Sequence, residues 1–417
     1  MSSTAPLQNQ TFSAEFKDKW PVVLVAYLMM LFAFGVPTFA LPFVYAGAID
    51  DFGWTRQEAV LLASFKFYTA AIASIAVGRL LDIVEPKYIV SCCAALGGLG
   101  MLGFLWADTL SFYYFVGFVL GFNSAGMVVS ANVIICRTFE HSTGTALGTA
   151  LAGTSTAGII VPLIMAPLMA SVGWQSTMMI MSVGIWIIAL PAWLLLLRDS
   201  SPTASKIRST GFSAAKTGMW AHFKNLSRTR NFWFIVTGIF LVSAVDQAIL
   251  QNQVLFLRDE TGFELNMVAW GAALLAAIGV VSKVAFGWVY DRWSIAGIVF
   301  CYLLLAVSVG LAFAVVGIAT MLMFMAIRGI AHGGLIVDAP VLAKHYYGPD
   351  NIGLNIGIFT LCISVGFGFG PPLLAGMADE SGSYLGGFGL AVIASLAAAA
   401  LLKPVKPRFW SRSKAAG

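Results

Sequence analysis

The chain has 417 residues, of which 59% are hydrophobic and only 10% charged, with a net charge of +5. Soluble domains run at about 25% charged residues, so a globular core cannot absorb this much apolar surface and lipid must be the solvent. The excess basic residues sit in loops beside the apolar runs, which points to membrane orientation and away from a nucleic-acid partner.

Residues 1–19 are polar and mixed in charge, and are expected to form a cytoplasmic tail. The first apolar run, Trp20 to Ala48, is too long for a signal-peptide core, so no cleavable signal is expected. Apolar stretches of membrane-crossing length follow, and the spacing predicts spans at 20–47, 57–81, 88–107, 110–136, 143–170, 174–197, 231–256, 265–290, 295–316, 318–345, 351–378 and 383–402. The expected fold class is therefore an all-α membrane protein of twelve transmembrane helices. Its parts are an N-terminal six-helix half (20–197), a central loop (198–230), a C-terminal six-helix half (231–402) and a basic tail (403–417). The central loop and the tail carry Arg198, Lys206, Arg208, Lys216, Lys403, Lys406 and Arg408, whereas the opposite loops offer only Arg56 and Arg258 against Asp50, Asp51, Asp259, Glu260, Asp379 and Glu380. By the positive-inside rule both ends are expected in the cytoplasm, and the lean loops suggest a bacterial inner membrane. Met219 to Arg230 reads as a short amphipathic helix on the inner surface.

The two halves repeat. Gly121-FNSAG-Met127 followed by Ala131 matches Gly329-IAHGG-Leu335 followed by Ala339. Gly78-RLLD-Ile83 matches Gly287-WVYD-Arg292, Gly144-TALG-Thr149 matches Gly353-LNIG-Ile358, and Pro162 matches Pro371. Parallel repeats of this kind are a transporter architecture. The copies differ in charge: Leu120, Ser124 and Ser130 stand where the second half has Arg328, His332 and Asp338. Charged side chains at membrane depth line a pathway or pair with one another, so the chemistry is weighted to the second half. Five cysteines (Cys92, Cys93, Cys136, Cys301, Cys362) fall in or beside apolar runs and read as small core residues. The sequence has no phosphate-binding loop, no zinc spacing and no enzyme constellation. The expectation is a carrier that is not an enzyme, has no cofactor or metal, and works as a monomer.

At these residues the chain resembles the major facilitator superfamily. Gly78, Arg79 and Asp82, with Gly287, Asp291 and Arg292, look like its gating signature and the repeat copy, although the basic cluster after the aspartate is thin. Within the superfamily the chain looks most like the monocarboxylate-transporter branch and its bacterial relatives. Asp18-Lys19-Trp20-Pro21, Phe52-Gly53-Trp54-Thr55-Arg56, Lys283 four residues before Gly287, and Gly370-PPLLAGMADESGS-Tyr384 carry that likeness. Two departures matter. Gly279 stands where animal members have an aspartate, and no basic residue lies between Val22 and Ile49, where they place a lysine.

The resemblance implies a secondary transporter of a small organic anion, a mono- or dicarboxylate or an aromatic acid, coupled to protons and working by alternating access. A drug or amphiphile exporter and a non-transporting sensor on the same scaffold are the rivals. The substrate-binding candidates are Lys283, Arg328, Lys66, Gln247 and Gln251. Lys283 stands at the family's basic position, and the plainer reading is a lysine that snorkels to the inner surface. Arg328 offers a bidentate fork to a carboxylate or, as plainly, a structural tie between spans. Lys66 reads as a cation near the outer mouth, or another snorkelling lysine. The proton-coupling candidates are Asp246, Asp338 and His332. His332 lies one helical turn from Arg328 on the same face. Asp246 reads either as a proton carrier or as a fixed partner of Lys283, and Asp338 as a proton site or a partner of Lys344. Pro340 is expected to loosen the helix beside Asp338.

Overall fold

The computed structural model describes residues 12–138, 143–196, 224–347 and 352–408, and among these there is no β-strand. Twelve helices are long and apolar enough to cross a membrane. They are span 1 (Lys19–Phe52), span 2 (Arg56–Gly78), span 3 (Pro86–Trp106), span 4 (Leu110–Ile135), span 5 (Gly148–Val172), span 6 (Trp174–Leu195), span 7 (Arg230–Glu260), span 8 (Leu265–Tyr290), span 9 (Ile295–Ala314), span 10 (Ile318–Tyr347), span 11 (Asn355–Ser381) and span 12 (Leu385–Leu402). Hydrocarbon offers no partner for a free N–H or C=O, so each segment must satisfy its backbone internally as a helix.

Local chemistry sets the helix ends and bends. Span 1 stops at Gly53, whose φ of 66° is open to glycine. Thr55 then opens span 2 with a capping box: its hydroxyl accepts from the Glu58 N–H at 3.1 Å, and the Glu58 carboxylate accepts from the Thr55 N–H at 2.9 Å. The Phe-Gly-Trp-Thr-Arg stretch is thus a stop-and-start signal. The repeat keeps it, because Gly262 also has positive φ between spans 7 and 8. Inside span 1, Pro37 lacks the N–H that would engage the Ala33 carbonyl. Asn123 of span 4 donates its side-chain amide to that carbonyl instead. Span 10 breaks between Leu335 and Asp338, one turn before Pro340, as the missing N–H and the ring of that proline require.

Helices in lipid approach through small residues. Added methyl groups on Gly121 and Gly329 would strike the backbone carbonyls of Lys66 and Leu275, and on Gly126 and Gly334 the side chains of Cys93 and Cys301. Span 4 therefore lies on spans 2 and 3 as span 10 lies on spans 8 and 9, which is the internal repeat in three dimensions. Of the surface helix expected over 219–230, residues 219–223 lie outside the described residues; 224–227 are helical and the chain turns at Arg228.

The two halves meet where span 1 meets span 7, span 2 meets span 11, and span 5 meets span 8. The seam is closed at the face carrying the turn at Gly53, here termed the loop-1 face. There the Asp379 carboxylate accepts from the backbone N–H groups of Arg56 (3.1 Å) and Gln57 (2.8 Å), capping span 2 from the other half. Arg258 at the end of span 7 forks onto Asp50 at the end of span 1, at 2.6 and 3.1 Å. Deeper in, Ser64 donates to the Gly368 carbonyl at 2.5 Å, and Gly158 lies against Phe39 and Ala276. The opposite face carries residue 408. Gly78, Gly148, Gly287 and Gly357 have open space where a Cβ would stand. Among the described residues, the hydrogen bonds and ion pairs between the halves gather at the loop-1 face and mid-depth.

Candidate functional site

Span 7 carries the most polar helical stretch, and the structure turns it inward: Asp246, Gln247, Gln251 and Asn252 are all buried. Asp246 is the hub. Arg328 of span 10, which has no exposed surface, donates from Nη2 to the Asp246 carboxylate at 2.5 Å and to the Asp246 backbone carbonyl at 2.7 Å. His332, one turn on, places Nδ1 3.0 Å from both carboxylate oxygens. A carboxylate can only accept, so Nδ1 carries the proton and Nε2 faces away. The remaining Arg328 nitrogens, Nε and Nη1, are buried without a hydrogen-bond partner.

The expected same-face placement of Arg328 and His332 is therefore realised, but their partner corrects two expectations. Asp246 does not pair with Lys283. Arg328 does not present its fork to the cavity, because it is sealed inside the second half and ties span 10 to span 7. His332 is the more accessible member of the group, with 13% of its side chain exposed. A methyl group on Gly279 of span 8 would come within 4.0 Å of its ring. Span 8 thus lies beside the His332 ring at Gly279. Lys283 follows four residues later on the same face of span 8.

Lys283 does not snorkel. Its ammonium crosses the seam and donates to Ser155 of span 5 at 3.0 Å. Lys66 is not at the mouth either: only 1% exposed, it lies mid-span. It donates to Thr38 of span 1 at 2.7 Å, with the rings of Phe67 and Phe34 at 5.5 and 5.9 Å from the ammonium. The side chains of span 1 cover it. Gln251 accepts from the Tyr45 hydroxyl across the seam at 3.0 Å and donates to Gln247 at 3.2 Å, so these two form a polar string between the halves.

Asp338 stands apart. It accepts from the Tyr302 hydroxyl of span 9 at 2.8 Å and is 2% exposed, so its partner is Tyr302 and not Lys344. The break before Pro340 turns it away from the Arg328 face. Of the gating signature, the side chains of Arg79, Asp82 and Asp291 lie outside the described residues; Arg292 sits over the Trp288 ring at 5.8 Å. Sequence reasoning did not find Ser155, Thr38, Tyr45 or Tyr302. Hydroxyls inside apolar runs are common enough that no spacing singles them out.

A twelve-helix bundle of two repeats, with ionisable groups at mid-depth, is the architecture of a secondary carrier. The chain belongs to the Major Facilitator Superfamily, whose sequence profile matches residues 23–334. It is similar to Monocarboxylate transporter 10 of Danio rerio, 24% identical over 92% of this chain and 77% of that protein. It is also similar to Monocarboxylate transporter 12 of Xenopus laevis, 21% identical over 70% of this chain and 68% of that protein. Among solved structures, a bacterial homologue of the human lysosomal transporter Spinster, in an inward-facing and occupied conformation, superposes with a TM-score of 0.71. It is 16% identical and covers 93% of each chain, a likeness of fold. The protein is an integral membrane transporter of this superfamily, within which it most resembles the monocarboxylate-transporter branch.

Proposed function

We propose that this transporter carries a small organic anion together with protons across a bacterial inner membrane, as a monomer, by alternating access. The observation that carries the reading is Lys283. Its ammonium lies on the seam between the halves, and among the described residues no carboxylate comes within 4 Å of it. A cation in a low-dielectric setting draws an anion strongly, and the bound anion supplies the missing counter-charge. The relatives named as monocarboxylate transporters support a carboxylate as that anion.

His332 and Asp246 are the proton-handling pair in this reading. The ring is the accessible member, it already holds one proton against Asp246, and its free Nε2 is the site for a second. Arg328 keeps the Asp246 carboxylate in place. Asp338, tied to Tyr302, has no part in coupling here. With the basic loops on the inside, the loop-1 face is external, and a seam tied at that face belongs to an outward-closed state. Arg258–Asp50 and Asp379 on the start of span 2 then form the outer closure, which breaks when the halves rock.

The test is uptake of a panel of radiolabelled carboxylates into proteoliposomes, with and without an inward proton gradient, for wild type and Lys283→Gln. The reading expects gradient-stimulated uptake of at least one acid and its loss in the variant. Folded protein that moves no acid, or uptake indifferent to Lys283, overturns it and shifts the weight to an exporter of amphiphiles.

A further inference from the structure

The organic-anion reading concerns one cation, Lys283, yet the membrane interior holds a second without a counter-charge. We propose, resting on that reading, that the substrate is a dicarboxylate, with one carboxylate on Lys283 of the second half and the other on Lys66 of the first.

The argument is an inventory of charge. Among the described residues, Lys66, Asp246, Arg328 and Asp338 are buried in the bundle interior, Lys283 and His332 are part-buried, and His345 is buried beside Ser294. Arg328 and His332 both reach the Asp246 carboxylate within 3.0 Å, so each lies beside its counter-charge. Asp338 is held by Tyr302 at 2.8 Å. Two ammonium groups remain. Each donates one hydrogen bond to a hydroxyl, Lys66 to Thr38 and Lys283 to Ser155. An ammonium has three donors. Neither has a carboxylate within 4 Å among the described residues. Holding an unpaired cation out of water is costly. Lys66 bears that cost with 1% of its surface exposed, and the faces of Phe34 and Phe67 offset only part of it.

The two cations belong to one seam. Thr38, which holds Lys66, is followed by Phe39, whose ring lies against Gly158 of span 5. Gly158 faces Ala276 of span 8, and Ser155, which holds Lys283, is one turn from Gly158. Spans 1, 5 and 8 therefore link the two ammonium groups across the boundary: Lys66 lies under the span 1 side chains on one side, and Lys283 reaches Ser155 from the other. A monocarboxylate neutralises one of them. A dicarboxylate neutralises both and braces the halves across the seam. The aromatic rings beside Lys66 leave apolar surface for the carbon chain between the two acid groups.

The experiment separates this from the parent reading. Proteoliposome uptake is measured for a series of radiolabelled linear diacids from malonate to suberate, and for terephthalate, each beside its monomethyl ester, which keeps the shape and removes one charge. Wild type is expected to take up at least one diacid with a KM at least tenfold below that of its monoester. Lys66→Met and Lys283→Met are each expected to erase that preference, and Lys66→Arg to keep it. Thermal unfolding confirms that each variant is folded. The preferred chain length reads out the separation of the two ammonium groups. Monoesters carried as well as diacids, or a preference unchanged in folded Lys66→Met, overturn the dicarboxylate proposal and leave the anion reading standing. Uptake of neither diacids nor monoesters, nor of any simple monocarboxylate, removes the anion reading itself.

Discussion

Replacing Asp246 by Asn tests whether the charge cluster is a clamp. Arg328 has no exposed surface, and two of its nitrogens are already without a partner. In the variant the guanidinium keeps the backbone carbonyl of residue 246 but loses the carboxylate it pairs with among the described residues. Removing one member of a buried ion pair costs about 3–5 kcal/mol, because the other charge is left stranded. The unfolding entropy of globular proteins, about 2.1 cal/mol/K per residue, amounts to roughly 0.9 kcal/mol/K over 417 residues. The expected fall in Tm is therefore roughly 3–6 °C, and larger if helices persist in the unfolded state in detergent. The assay is tryptophan-fluorescence melting of purified protein. Combining Asp246→Asn with Arg328→Met removes both charges and is expected to recover at least half of the loss. A single variant that melts with wild type, or a double variant no better than the single, refutes the clamp.

Three further outcomes follow from the same geometry. His332→Gln is expected to abolish gradient-driven accumulation while substrate counterflow persists, since the ring takes the proton but does not hold the anion; accumulation that survives at full rate removes His332 from coupling. Asp50→Arg sets like charges against Arg258 at the loop-1 face. The pair is solvent-exposed, with 60% of the Asp50 side chain accessible, so the change is worth about 1 kcal/mol or less. Spin labels at the ends of spans 1 and 7 should report up to about a fivefold gain in the separated population, reversed by adding Arg258→Asp. Tyr302→Phe strands the buried Asp338 carboxylate and is expected to cost about 1–3 kcal/mol of stability, with the KM for transport unchanged; a large KM change would bring Asp338 back into the transport path.

How much of this was legible in the sequence differs by level. The spans were, because runs of apolar residues this long have one stable form in lipid. The repeat was, because Gly121 and Gly329, and Gly126 and Gly334, are each needed where neighbouring helices touch. The shared face of Arg328 and His332 followed from helical spacing. Their partner did not. Whether Asp246 meets Arg328 or Lys283 depends on how spans 7, 8 and 10 are rotated about their own axes, which is set by contacts among all of them. Lys66 shows the same limit in depth. Counting residues inward from Arg56 puts it near the mouth, but span 1 lays Phe34 and Thr38 over it. Hydroxyl partners such as Ser155 and Tyr302 have no pattern of their own and are visible only once the helices are assembled.

The most direct test of the central claim, that an anion and a proton move together through the Lys283 seam, is substrate-induced proton entry. Proteoliposomes loaded with a pH-sensitive dye are given an acid from the panel without any imposed gradient. The account predicts that the lumen acidifies on addition of a transported acid with wild-type protein, and does not with Lys283→Gln or His332→Gln. Anion entry at full rate with no change of internal pH in wild type would contradict it.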